Sequence, residues 1–325
     1  MKRNIFIRYT GFFTVLVLLF LTSCESVKYA STKVQTLTPP ARIVDLPSTA
    51  NIAIATALND YLPDNEKSFD SLAMTAMAMD IKNNLEKSPK YSSYIFPVYT
   101  INAGETGLTN ENILEIKENS DANYLISIEK FKTAFHKQRI RTLEINCVKI
   151  LVPYSLVMKI YDIDNLKVMD EKSVTDTFTI QIDAYSWETE SEIMERLPDN
   201  KASVMYVIKE LSKSYVKEIA PFWNEETRFY YINDNFAKAG YYIVNEDWAK
   251  AMDVWLKYVN DENGELAAIS CFNMAVGCEM LGEFELALKW MNTSKRKNAN
   301  YYWEEYKKLL ERRIEEKAII DKVMN

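Results

Sequence analysis

The sequence predicts an α+β domain followed by an all-helical repeat domain. Three patterns carry that expectation. Residues 167–182 alternate Val174, Asp176, Phe178 and Ile180 with Thr175, Thr177 and Thr179, the two-residue period of a strand. Val204, Val207, Ile208, Leu211, Tyr215, Val216 and Ile219 keep the spacing of an amphipathic helix. Further on, Trp248, Ala251 and Trp255 map onto Phe284, Ala287 and Met291 at a constant offset of 36, the mark of a helical repeat.

A chain of 325 residues fits two domains better than one. Hydrophobic residues make up 48% and charged residues 26%, which excludes disorder and collagen-like repetition. Only 7 Gly and 9 Pro leave little room for glycine-rich phosphate loops or low-complexity linkers. The formal charge of −7 argues against a broad nucleic-acid footprint, which needs clustered Lys and Arg. A single His leaves little for His-based catalysis or a multi-His metal site.

Residues 1–23 read as a signal peptide. Lys2, Arg3 and Arg8 precede an uncharged apolar run from Phe12 to Leu21, shorter than the roughly 20 residues of a spanning helix. The run ends in Leu21-Thr22-Ser23-Cys24, which resembles the bacterial lipobox. That resemblance implies diacylglycerol on the Cys24 thiol, cleavage before it and an acyl chain on the new amino group, with no other cofactor. Each buried methylene contributes about 0.8 kcal/mol, so two or three chains hold firmly. Cleavage removes three basic residues and takes the charge from −7 to −10, so no polybasic patch assists. Glu25 follows without an acidic run, which favours the periplasmic face of the outer membrane. Residues 24–47, rich in Thr and Ser and then interrupted by Pro39, Pro40 and Pro47, read as a lipidated tether.

The α+β domain is expected over 48–222. Asn51-Ile52-Ala53-Ile54-Ala55 suits a buried strand, and Asp70 and Ser71 can cap a helix carrying Leu72, Met74, Met77, Ile81 and Leu85. Strands are expected at 94–99 and 122–129, with a short helix opened by Thr109 between them. Two longer strands, 148–161 and 167–182, flank Asp162-Ile163-Asp164-Asn165, a turn sequence that makes a hairpin. The helix at 204–219 ends before Pro221. The order is β-α-β-α-β-β-β-α, a mixed sheet with helices on one face.

This order, together with the strand Tyr154-Ser155-Leu156-Val157-Met158-Lys159-Ile160-Tyr161 ending at Asp162 before a turn, resembles the amino-terminal domains of TolB-like and CsgG-like periplasmic lipoproteins. CsgG-like proteins form secretion pores through added membrane-spanning hairpins, and no spare pair of alternating segments supplies them here. The lipobox, this domain and the junction from Ala220 to Tyr231 together resemble a Bacteroidota lipoprotein family of unknown function.

Residues 223–325 are expected to be helical. Leu281-Gly282-Glu283-Phe284-Glu285-Leu286-Ala287-Leu288 resembles the tetratricopeptide inter-helix turn, and Glu246 stands where the preceding repeat would carry the glycine. Residues 301–323 form a last, capping helix. Cys271 and Cys278 lie seven apart on a helix, about 10.5 Å axially, too far for a disulfide. With Cys147, they are expected as small buried hydrophobes.

No motif arms a catalytic site. His136, in the basic stretch 130–141, lacks a nucleophile and an orienting group, and reads as a solvated loop or edge strand. Asp162, Asp164 and Asp170 lack the glycine and terminal glutamate of a calcium loop, so no metal is expected. Gly104-Glu105-Thr106-Gly107 lacks the lysine of a phosphate loop and reads as a turn. Asp70-Ser71-Leu72 resembles the O-glycosylation signal of Bacteroidota envelope proteins, with Ser71 as acceptor. Most aromatics fall at positions that a repeat must bury. Arg228, Phe229, Tyr230 and Tyr231, with Tyr241 and Tyr242, are instead expected to line an exposed groove for a peptide.

The expected function is a non-enzymatic, membrane-anchored adaptor with a protein or peptide partner and no nucleic acid. The alternative is a subunit of a CsgG-like secretion or surface-assembly complex. An enzyme acting on cell-wall or glycan material would need convergent carboxylates.

Overall fold

The structure, a computed structural model, describes residues 28–324 other than 45, 48–49, 60–63, 93, 104–106, 143–145, 186 and 302, and no side chain at 59 or 64–70. The expected signal peptide and Cys24 lie outside the described residues. The described residues divide into two compact units, a sheet unit holding Leu37–Asn224 with Glu316–Met324, and a helical unit holding Glu225–Glu315 with Lys28–Thr36.

After β1 (Lys28–Thr38), the sheet unit runs β2 (Ile52–Asn59), α1 (Asp64–Leu85), β3 (Val98–Ala103), α2 (Asn110–Asn119), β4 (Tyr124–Thr133), β5 (His136–Arg141), β6 (Asn146–Asp162), β7 (Lys167–Asp183), α3 (Glu190–Arg196) and α4 (Asn200–Ile219). Ile54 of β2 pairs in parallel with Val98 of β3 and Ile126 of β4. The long β6 runs antiparallel to its partners, with Ile160 opposite Ile126 of β4, Val148 opposite Arg139 of β5 and Val152 opposite Phe178 of β7.

Successive strand residues face opposite ways. Ile52 and Ile54 therefore share a core with Met77 and Ile81 of α1, and Ala53 and Ala55 share another with Ile113 and Ile116 of α2. A strand covered on both faces needs an unbroken apolar run, which β2 has. Val204 and Ile208 of α4 join the first core beside Leu156, Met158 and Ile160 of β6. Val207 and Ile193 close a further cluster over Val148, Ile150 and Val152. The α+β class holds, and α2 adds cover on the second face.

Local chemistry sets the boundaries. Thr109, Thr189 and Asp199 accept backbone N–H bonds at the starts of α2, α3 and α4. Asp162 accepts from the Asn165 N–H at 3.0 Å in the expected turn. The strand expected at 94–99 begins only at Val98, because Pro97 has no N–H to offer the ladder. Tyr91 and Phe96 fill the core beside it, each 1% exposed. The helix expected from Asp70 starts at Asp64, so Ser71 is a half-buried interior residue and not a cap.

The helical unit contains β8 (Phe222–Ile232) from Glu225 on, a 3-10 turn (Asp234–Phe236), α5 (Ala237–Val244), α6 (Trp248–Trp255), α7 (Gly264–Met280), α8 (Phe284–Lys297), a 3-10 turn (Ala299–Tyr301) and α9 (Glu304–Met324) as far as Glu315. Two expectations change here. Residues 28–38, read as tether, and 222–232, expected from 223 on to be helical, pair as a two-stranded ribbon. Tyr29 meets Phe229 and Lys33 meets Glu225, the pattern of antiparallel strands. The reason is visible in β1: Val34 and Thr36 are buried, whereas Tyr29, Ser31, Lys33 and Gln35 are exposed. Thr and Ser between apolar residues made a half-buried strand, not a loose chain.

The helices wrap α7, which is buried from Ala267 to Glu279. Ala251 and Trp255, and their counterparts Ala287 and Met291, are fully buried. Both helical turns end alike. The Glu246 N–H donates to Ile243 O and the Asp247 N–H to Tyr242 O; the Gly282 N–H donates to Glu279 O and the Glu283 N–H to Cys278 O. Glu246 and Gly282, 36 positions apart, both take the left-handed conformation, φ 58° and 76°.

Candidate functional site

Strand β8 turns Arg228 and Tyr230 inward and Phe229 outward, and Tyr231 is buried as well. Arg228 is therefore a buried cation. Its Nε bonds Glu279 at 2.8 and 2.9 Å, and its Nη2 lies 2.7 Å from carboxylate oxygens of both Glu279 and Glu226. The Tyr306 hydroxyl donates to Glu279 Oε2 at 2.7 Å. Burial alone would raise the Glu226 carboxyl, but the hydrogen bond and charge of Arg228 hold it below its ordinary range. Burial, then the Glu279 charge, push the Tyr306 hydroxyl well up. Arg228 is buried and paired with Glu279 and Glu226 inside the unit, so the expectation that it lines an exposed groove is corrected.

Tyr230 and Tyr231 are corrected likewise. Asn273 of α7 reaches the main chain of Tyr231, accepting its N–H at 2.8 Å and donating to its carbonyl at 2.7 Å. The Tyr231 ring lies 5.0 Å from Phe272 and 6.1 Å from Trp303. From Phe272 a series of rings climbs outward through Trp303 and Phe229 to Tyr29, at 5.2, 6.0 and 5.7 Å. Phe229 is 40% and Tyr29 60% exposed. Tyr241 and Tyr242 stand apart on α5, edge to face at 5.8 Å, with Lys250 over the Tyr242 ring. Tyr241 is 69% exposed and so is Val244, at 83%, one helical turn away.

The sequence reading missed Tyr29 and Trp303 as neighbours of Phe229, and Glu279 as the partner of Arg228. The alternation of β1 could have revealed Tyr29. Nothing local marks Glu279.

In the sheet unit, β4 bulges between Ile128 and Lys130 and places the Glu129 carboxylate inside. Tyr161 donates its hydroxyl to Glu129, and Lys159 pairs with it at 2.8 Å. Gly107 covers the site at φ 91°, and a Cβ there would overlap Glu129 Oε2. The remaining candidates have protein partners or solvent. Asp162 binds Asn165, Asp164 binds Lys117 and Asn123, and Asp170 binds Arg42. His136 is exposed on β5. A cavity of about 220 Å³ opens among Lys137, Arg139, Val148, Glu190, Ile193 and Met194. Cys147, Cys271 and Cys278 are buried free thiols. Among the described residues, no group of three or more His, Cys, Asp or Glu side chains is placed to hold a metal, and no helix is long and apolar enough to cross a membrane.

The molecule is thus a mixed-sheet unit and a helical unit, each with a closed polar centre, and the helical unit carries exposed rings. Residues 43–231 match the family model described as a domain of unknown function, DUF8603. That span exceeds half the chain, and the chain belongs to this family. Residues 237–314 match a second domain of unknown function, DUF6340. No curated protein matches. Similar solved structures include a minor lipoprotein from Acinetobacter baumannii, 12% identical with a TM-score of 0.22 over 51% of this chain and 89% of that one. Another is the hypothetical protein CT253 from Chlamydia trachomatis, 14% identical with a TM-score of 0.24 over 51% and 98%. Likeness at that level is too slight to carry fold or function across.

Proposed function

We propose that this chain is a lipid-anchored, non-enzymatic binding protein of the cell envelope, held through Cys24 on the periplasmic face of the outer membrane. Its helical unit, tetratricopeptide-like in its paired turns, takes a protein or peptide partner. The lipobox-like Leu21-Thr22-Ser23-Cys24 supports the anchor. The observation that carries the binding role is the exposed pair Tyr241 and Val244 on a short helix whose other side is buried. Large apolar side chains held on a rigid frame give up little freedom when a partner covers them.

A photoreactive amino acid in place of Tyr241, in the full-length chain in its native membrane, tests the reading. The expected result is one discrete crosslinked partner, lost when Val244→Asp is added. An unchanged pattern with Val244→Asp, or no crosslink from position 241, removes this face as the binding surface.

A further inference from the structure

The ribbon changes what the anchor does. Strand β1 begins at Lys28, so only four peptide steps separate it from Cys24. At about 3.8 Å each, the two Cα atoms lie within about 15 Å of one another. A tether running to residue 47 would have reached about 87 Å on the same arithmetic. With acyl chains on Cys24, the start of the ribbon stands at headgroup depth, in an interfacial layer of several ångströms to either side of the hydrocarbon.

The side chains presented at that point suit it. Tyr29 and Phe229 lie edge to face on the outer side of the ribbon, and Lys28, the first residue of the strand, is exposed as well. Aromatic rings with a polar tip settle at the membrane interface, and lysine extends to the phosphates. Further along the same face, Lys33 and Glu225 pair at 2.6 Å and add no net charge. Phe229 is backed by Trp303 and Phe272, so its ring is already fixed and little entropy is lost on insertion.

The geometry points to a bilayer seat: the Tyr29–Phe229 end of the ribbon inserts among the headgroups of the membrane that holds Cys24. This inference rests on the lipidation proposed above. The occupant is the lipid surface itself, because four residues of slack keep these rings within its reach. The seat is apolar on an acidic chain, so its engagement is insensitive to salt, unlike adsorption through basic patches.

The test uses the full-length chain, produced with its lipid and reconstituted in phosphatidylethanolamine–phosphatidylglycerol vesicles. A nitroxide is placed on Ser31→Cys, which is exposed on the same face and leaves both rings intact, and on Tyr241→Cys as a reference. Labelling is selective because Cys147, Cys271 and Cys278 are buried, and burial pushes the latter two thiols up to about 11. The expected result is that position 31, unlike 241, loses collisions with an aqueous nickel complex and gains them with oxygen, at low and high salt alike. Adding Tyr29→Ser should abolish that difference. Palmitate-labelled protein that sediments with vesicles but leaves position 31 as open to nickel as 241 overturns the seat and spares the anchor. Shielding from nickel with no gain in oxygen contact indicates a protein neighbour and also overturns it. Absence of palmitate overturns the anchor, and the seat with it.

Discussion

Asn273 holds Tyr231 by both of its main-chain groups, so a side chain of α7 stands in for a neighbouring strand along the end of β8. All four atoms involved are buried. An open strand edge inside a protein would otherwise leave an N–H and a carbonyl without partners.

Replacing Asn273 with Ala should therefore cost about 2–5 kcal/mol, the penalty for two buried backbone groups left unpaired. Urea denaturation measures it through the midpoint. A loss under about 0.5 kcal/mol, the level of an ordinary surface substitution, would mean that water replaces the amide.

The Arg228–Glu279 pair makes a different prediction. Arg228→Met strands Glu279 and Glu226 and should cost about 3–5 kcal/mol. Glu279→Gln alone is expected to be milder, since an amide still accepts from Tyr306 at that position. The double variant should lose less than the two single losses added together, by about 1 kcal/mol or more. Strict additivity in a double-mutant cycle would show that the two residues do not act as a unit.

The paired turns respond oppositely to glycine. Glu246 holds a left-handed conformation that glycine adopts without strain, and its side chain is exposed. Glu246→Gly should stabilise the helical unit by about 0.5–1 kcal/mol, and Gly282→Ala should destabilise it by about 1 kcal/mol. Thermal melts of both variants check the pair; equal shifts of one sign would contradict it.

Alkaline pH should loosen the helical unit. Burial pushes the Cys271 and Cys278 thiols from the ordinary 9 up to about 11, with the Glu283 charge adding to Cys278. A raised value in the folded state means that their contribution is intact below pH 9 and is lost as pH rises from 9 through 11. Denaturation midpoints measured across that range should fall, and the double variant Cys271→Ala, Cys278→Ala should fall less steeply.

Much of this arrangement was legible because it is local. The alternation of β7, the run in β2, the Thr109 cap and the pattern of α4 are each written within about twenty residues. Trp255 and Met291, set against each other by the 36-residue offset, are both fully buried. What escaped is long-range. Polar β1 resembles a tether until its period of two is noticed, and β8 carries Glu225, Glu226 and Arg228, which suggest a solvated face. Arg228 is buried only because Glu279 lies 51 residues away and reaches it across the fold. Of the expected cluster, Phe229 and Tyr241 are exposed while Arg228, Tyr230 and Tyr231 are buried, and the unexpected Tyr29 joins the exposed rings.

Ribosomes make β1 first and its partner β8 only after β2 to β7 and α1 to α4 of the sheet unit have been synthesised. The opening strand must wait, with its edges open, while a self-sufficient body folds behind it. Assembly of the helical unit is thus a late event that joins both extremes of the polypeptide. A truncation that removes β1, beyond the expected cleavage before Cys24, should injure the helical unit.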